Sequence, residues 1–245
     1  MNTSVLNSEA AGKIEEFYRD ISRIAGDNLH SFHVVGSVLT PDYDPKTSDI
    51  NSIVVLKRME MGFLSGMATL GKKYKKRSVS APLIMTPEYI RKSLDVFPIE
   101  FLDFRLIHKT IAGDDILAGV EIEKRNLRLQ AERELKSKLI WLRQGFISSM
   151  GDRKLLAQTL SGSITGYMPL FRAIINLFGE TPPVKREEVL TRLEEITGIR
   201  TGVFRKMLLL KRKEITLSGD DLQKAFEDYY NATEEITRKV DEINI

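Results

Sequence analysis

The chain of 245 residues reads as an α+β protein, a sheet flanked by helices in the first half and an all-α helical bundle after it. Three observations predict this. Two β-branched apolar runs, Phe32 to Val35 and Ile50 to Leu56, flank a loop holding both Pro and Asp, the pattern of strand, loop, strand. Before them, Ile14, Phe17, Tyr18, Ile21 and Ile24 recur at three- and four-residue steps and offer one apolar face to a sheet. From Gly119 onward the apolar period is that of helices, interrupted at Gly and Pro. The expected division is therefore a domain of residues 1–118 and a helical-bundle domain of residues 119–245.

The elements follow in order. Residues 8–25 form the first predicted helix, with Ser8 as its N-cap. After the strand pair, Gly62 to Tyr74 reads as a helix burying Phe63, Leu64, Met67 and Leu70, and it runs into the basic stretch Lys72, Lys73, Lys75, Lys76, Arg77. That stretch has two readings. It could attract triphosphate or nucleic acid, with Tyr74 for stacking, or it could be a solvated helix end whose cations suit the dipole, and the second carries more weight. Ala81 to Met85 is a short strand, and Thr86-Pro87-Glu88 starts a brief helix to Leu94. Val96 to Ile107 is expected to be another strand, interrupted by Glu100 and Asp103. Residues an odd number apart on a strand face opposite sides, so only one of the two acids can face a site. Glu100 is the expected one, though a bulge near Pro98 would reverse the choice, and for Asp103 a salt bridge on an edge strand is the better reading.

In the second half, Val120 to Ser149 is a long helix with Leu127, Ala131, Leu135, Leu139, Leu142 and Phe146 along one side. Asp152 opens a second, expected to reach Phe178 with a bend near Gly162, Gly166 and Pro169. Further helices are expected over 185–197, 202–213 and, capped by Ser218, 219–243, giving an antiparallel bundle.

Composition narrows the chemistry. The net charge of +3 decides little, and neither half looks like a nucleic-acid arm. Without cysteine there are no disulfides and no thiolate metal sites. The three histidines, His30, His33 and His108, lack metal-ligand spacing, so any metal is expected on oxygen. The longest uncharged run, Leu155 to Phe171, is too polar and slightly short for a bilayer span, and no leader is visible. A soluble, cytoplasmic protein without membrane partners is the expectation.

The residues around the strand pair carry the chemical signal. Gly36 lets an anion approach the backbone closely, and the Ser37 hydroxyl and amide can donate to its oxygens. Asp49 and Asn51, two apart at the start of the second strand, would present their oxygens side by side, where a hard cation could sit. The bland reading makes Asp49 and Asn51 turn and strand-start residues and Gly36 a bulge.

Gly36-Ser37, eleven intervening residues, then Asp49-Ile50-Asn51 and an apolar strand resembles the signature of the nucleotidyltransferase superfamily, the DNA polymerase beta-like fold. The resemblance covers roughly residues 31–115 and implies a nucleotidyltransferase-like mixed sheet. It implies that Gly36 and Ser37 bind the triphosphate, that Asp49, Asn51 and an acid at Glu100 or Asp103 hold Mg²⁺ or Mn²⁺, and that the same acid receives the acceptor's proton. The family has a second aspartate where this chain has Asn51, whose carbonyl can still ligate but brings no charge to a metal clamp.

The implied reaction is transfer of a nucleoside monophosphate from a nucleoside triphosphate to an unidentified acceptor, which could be a small molecule, a protein or RNA. Arg128, Arg143 or residues near Tyr167 in the helical domain are candidates for choosing it. The bundle is similar to helical domains appended to small nucleotidyltransferases, including the HEPN type. HEPN ribonuclease chemistry needs a histidine after an arginine, and none follows His108. Two alternatives stand beside transfer. One is a catalytically impaired nucleotide-binding or regulatory protein, marked by Asn51, that binds a nucleotide or pairs with another protein as antitoxin halves of such systems do. The other is an interaction protein whose bundle mediates homodimerisation.

Overall fold

The computed structural model describes Leu6 and residues 8–244. Its contacts divide the chain into two units, Met1–Ile122 and Glu123–Ile245. The first is built on a four-stranded mixed sheet, and the second is all helix.

In the first unit, helix α1 (Ser8–Ala25) turns Ala10, Ile14, Phe17, Ile21 and Ala25 inward, as its apolar period requires. The residue before Ser8 lies outside the described residues. Strands β1 (Leu29–Val35) and β2 (Asn51–Leu56) pair antiparallel, with Val35 opposite Asn51 and His33 opposite Ile53. Helix α2 (Met61–Lys75) buries Phe63, Met67 and Tyr74, and leads to β3 (Leu83–Met85), which runs parallel to β2 at the sheet edge. Two short helices follow, α3 (Pro87–Ser93), capped by the Thr86 side chain, and α4 (Pro98–Leu106). Strand β4 (His108–Gly113) then pairs antiparallel with β1, giving the order β3-β2-β1-β4.

The α4 segment corrects the sequence reading, which expected a strand over 96–107 with Glu100 and Asp103 on opposite faces. Pro98 supplies a helix N1 position, where its missing N–H costs nothing, and Pro98, Ile99, Phe101 and Leu102 form a helical apolar stripe. The carboxylates fall on the part of the helix turned away from that stripe: Glu100 is exposed and Asp103 half-buried.

Side chains alternate across the sheet, so it has two cores. On one face Phe32, Val34, Ile50, Val54 and Leu56 pack with α1 and α2. On the other, Val35, Ile53, Val55 and Met85 pack with Ile90 of α3, Phe101 of α4, and Leu117 and Val120.

The second unit comprises α5 (Lys124–Ser148), α6 (Arg153–Ser163), α7 (Tyr167–Leu177), α8 (Arg186–Thr197), α9 (Gly202–Lys211) and α10 (Gly219–Asp241). Helix α10 packs along α5, as expected of a bundle. The single bent helix expected over 152–178 is two helices. Gly166 takes the left-handed conformation (φ 81°, ψ −1°) that starts α7, and Pro169 sits in the first turn of α7, where it removes no helix hydrogen bond. The Ser218 cap is present, accepting from the Asp221 amide. No helix among the described residues is long and apolar enough to cross a membrane.

Candidate functional site

Strand β1 ends at Gly36, whose backbone (φ 79°, ψ −152°) lies in a region that only glycine occupies readily. The Gly36 N–H donates to Ile107 O at 3.1 Å, which ties the turn to the segment leading into β4. Its carbonyl accepts from Leu39 N–H at 3.0 Å, closing one tight turn over residues 37–39. Among the described residues, the amides of Ser37 and Val38 and the Ser37 hydroxyl make no hydrogen bond to protein.

Asn51 starts β2 on the same sheet face as Val35 and Ile53. Its amide nitrogen lies 3.8 Å from the place a Cβ on Gly36 would occupy, and its side chain has no hydrogen-bond partner either. Backbone amides, a hydroxyl and a side-chain amide are thus gathered at one turn with their donors unspent, which suits an anion. The fold brings together Gly36, Ser37 and Asn51.

The carboxylates are arranged differently. Asp49 is exposed and lines an open cleft of about 550 Å³ with Phe17, Leu64, Met67, Tyr74, Lys75 and residues 79–82, among others. The strands adjoining β2 are β1 and β3, and neither carries Asp or Glu. Glu100 and Asp103 belong to α4, so no strand delivers a third acid beside Asp49. No group of three or more His, Cys, Asp or Glu side chains that could hold a metal exists among the described residues. With one carboxylate and one neutral amide, the donor set does not fit a two-cation clamp, which needs several charged oxygens.

The basic run at the end of α2 is partly used in the fold. Lys73 donates to Asp20 at 2.7 Å and pairs with Glu16 at 2.8 Å, Arg77 pairs with Glu16, and the Tyr74 hydroxyl donates to Asp20 at 2.6 Å. These contacts tie α2 to α1, and Lys73 and then Tyr74 hold the Asp20 carboxyl below its ordinary range. Lys72, Lys75 and Lys76 stay exposed.

Sequence reasoning missed one cluster. All three histidines gather on β1 and β4 around a hydrogen-bonded core. Ser31 Oγ lies 3.2 Å from His30 Nδ1 and 2.8 Å from His33 Nε2, and His33 Nδ1 lies 2.9 Å from Thr110 Oγ1. His108 Nε2 donates to Asp115 at 2.8 Å, and its ring stands 6.1 Å from that of His33. Burial first, and the neighbouring His108 second, push His33 down to about 4. The available signal was the Ser31-x-His33 alternation on a predicted strand, which puts both side chains on one face.

In the helical unit, Tyr167 is fully buried and its hydroxyl is bonded to Thr233 Oγ1 at 3.0 Å, so it is part of the core. Arg128 pairs with Glu132 at 2.8 Å, and Arg143 donates to the Tyr230 hydroxyl at 2.9 Å.

No family model and no curated protein matches the chain. Among solved structures, it is similar to spectinomycin adenyltransferase AAD(9) from Enterococcus faecialis, solved with ATP and spectinomycin. The TM-score is 0.55 at 12% identity, covering 91% of this chain and 98% of that one. At that identity the likeness establishes a shared fold, a mixed sheet flanked by helices followed by an all-α helical bundle.

Proposed function

We propose that the chain binds a nucleoside triphosphate with its phosphates over the Gly36-Ser37 turn, and that it acts as a nucleotide-binding or regulatory protein in which transfer chemistry is impaired. The observation that carries this reading is the set of unspent donors at that turn, on Ser37, Val38 and Asn51. Transfer is impaired by a shortage of negative charge. Asp49 is the one carboxylate at the start of β2, Asn51 adds none, and the strands on either side of β2 are free of acids. Clamping attacking and leaving oxygens requires compensating negative charge to hold the cations, and this site is short of it.

A second reading, transfer of a nucleoside monophosphate to an unidentified acceptor, is favoured by the fold likeness, which runs through both units to an enzyme solved with ATP and spectinomycin. In that reading Asp49 is the principal Mg²⁺ or Mn²⁺ ligand and Asn51 its neutral companion. Glu100 or Asp103 would have to supply the proton-accepting carboxylate from α4.

Two measurements on the full chain separate the readings. Thermal shifts with the four nucleoside triphosphates report binding, because a ligand of the native state raises apparent stability by mass action. Pyrophosphate release over hours, with Mg²⁺ or Mn²⁺ and a panel of hydroxyl-bearing acceptors, reports transfer. Stabilisation without pyrophosphate supports the first reading. Sustained release that Asp49→Ala abolishes establishes the second, and no thermal shift with any nucleotide rejects both.

A further inference from the structure

We infer that this turn takes a polyphosphate through hydrogen-bond donors alone, so that nucleotide binding here does not depend on a divalent cation. The inference rests on the nucleotide-binding reading above and specifies how the anion is held. Asn51 is the deciding residue. A carboxylate at this position repels phosphate unless a cation stands between them, whereas an amide nitrogen donates to phosphate directly. The Asn51 amide nitrogen lies 3.8 Å from the absent Cβ of Gly36, the nearest atom outside the residues adjoining it, and among the described residues no protein acceptor occupies it.

Two further features agree. Among the described residues the Ser37 and Val38 amides and the Ser37 hydroxyl are equally unoccupied, so this turn holds further neutral donors besides Asn51. The Gly36 N–H is spent on Ile107 O, which fixes the turn in place, so the donors need no rearrangement to receive an anion. Of the expected cation ligands, Asp49 alone brings charge to the start of β2, and it lines the cleft beside residues 79–82.

The test is equilibrium titration of the full chain with ATP, and separately with inorganic tripolyphosphate, in EDTA and in excess Mg²⁺. Wild-type affinity should change by less than about threefold between the two media. Asn51→Asp should lose about tenfold or more in EDTA, equivalent to 1.4 kcal/mol or more, and regain most of it in Mg²⁺, because the new carboxylate then needs a cation. Ser37→Ala should weaken binding in both media by the same factor, and a thermal melt of each variant checks that it is folded. Wild-type binding that requires Mg²⁺ overturns this inference while leaving the nucleotide-binding reading intact. So does Asn51→Asp binding as tightly as wild type in EDTA. Absence of ATP binding in both media overturns the inference together with the reading beneath it.

Discussion

Asn51 faces Gly36 across the end of the β1–β2 ladder, its amide nitrogen 3.8 Å from where a glycine side chain would begin. The space is open, yet the Gly36 backbone at φ 79° and ψ −152° excludes other residues on conformational grounds. Gly36→Ala should therefore lower stability by about 1–3 kcal/mol through strain. In a denaturant melt the midpoint should fall with an unchanged slope. A midpoint equal to wild type would mean that the turn adopts another conformation.

Immediately after Asn51, Ser52 points to the opposite face, into the core beneath α1 and α2, and its buried hydroxyl has no hydrogen-bond partner among the described residues. A desolvated hydroxyl without a partner is a cost that alanine removes. Ser52→Ala should raise stability by up to about 1 kcal/mol, measured by the same melt. A clear loss would show that the hydroxyl is satisfied in solution.

His33 makes folding sensitive to acid. Its folded value is about 4 against 6.5 for the free side chain, so between these values the unfolded chain binds a proton that the folded chain excludes. Stability from this group is complete above about pH 6.5, falls as pH drops toward 4, and has no further slope below that. The whole effect is on the order of 3 kcal/mol. His33→Gln keeps groups able to bond Ser31 and Thr110 but does not titrate. The difference between wild-type and variant stabilities should shift across pH 4 to 6.5, and parallel profiles would contradict the assignment.

Tyr74 ties the basic end of α2 to α1 by donating to the Asp20 carboxylate at 2.6 Å, from a side chain that is itself buried. Tyr74→Phe should cost about 1.5–3 kcal/mol, the worth of a hydrogen bond to a charged group. Because the bond also helps hold the Asp20 carboxyl below its ordinary range, the variant should lose less stability than wild type on acidification below that range, so the gap between the two narrows. A melt unchanged at neutral pH would show that Lys73 alone satisfies Asp20.

Local chemistry decided what the sequence revealed. Helix α1 was legible over Ser8–Ala25 because its apolar face follows one period without interruption. Strands β1 and β2 were legible because β-branched runs flank a Pro- and Asp-rich loop. The α4 segment was misread because a short run rich in Val, Phe and Ile satisfies a strand pattern as readily as a helical one, and the Pro98 signal at N1 was outweighed. The candidate site was half legible. Gly36, Ser37 and Asn51 are local in sequence and meet, whereas the place of Glu100 and Asp103 depended on the element that carried them. The histidine cluster required pairing β1 with β4, a contact across 77 residues that no local pattern encodes.

The central claim is that nucleotide phosphates settle on the turn after β1. Titrating isotope-labelled protein with ATP, in excess Mg²⁺ and again in EDTA, and following the amide resonances of Ser37, Val38 and the Asn51 side chain tests it most directly. Saturable shifts at these three amides, absent or weakened in Ser37→Ala, are the expected result. Resonances at these positions that stay still in both media, whether ATP shifts others or none, would contradict it.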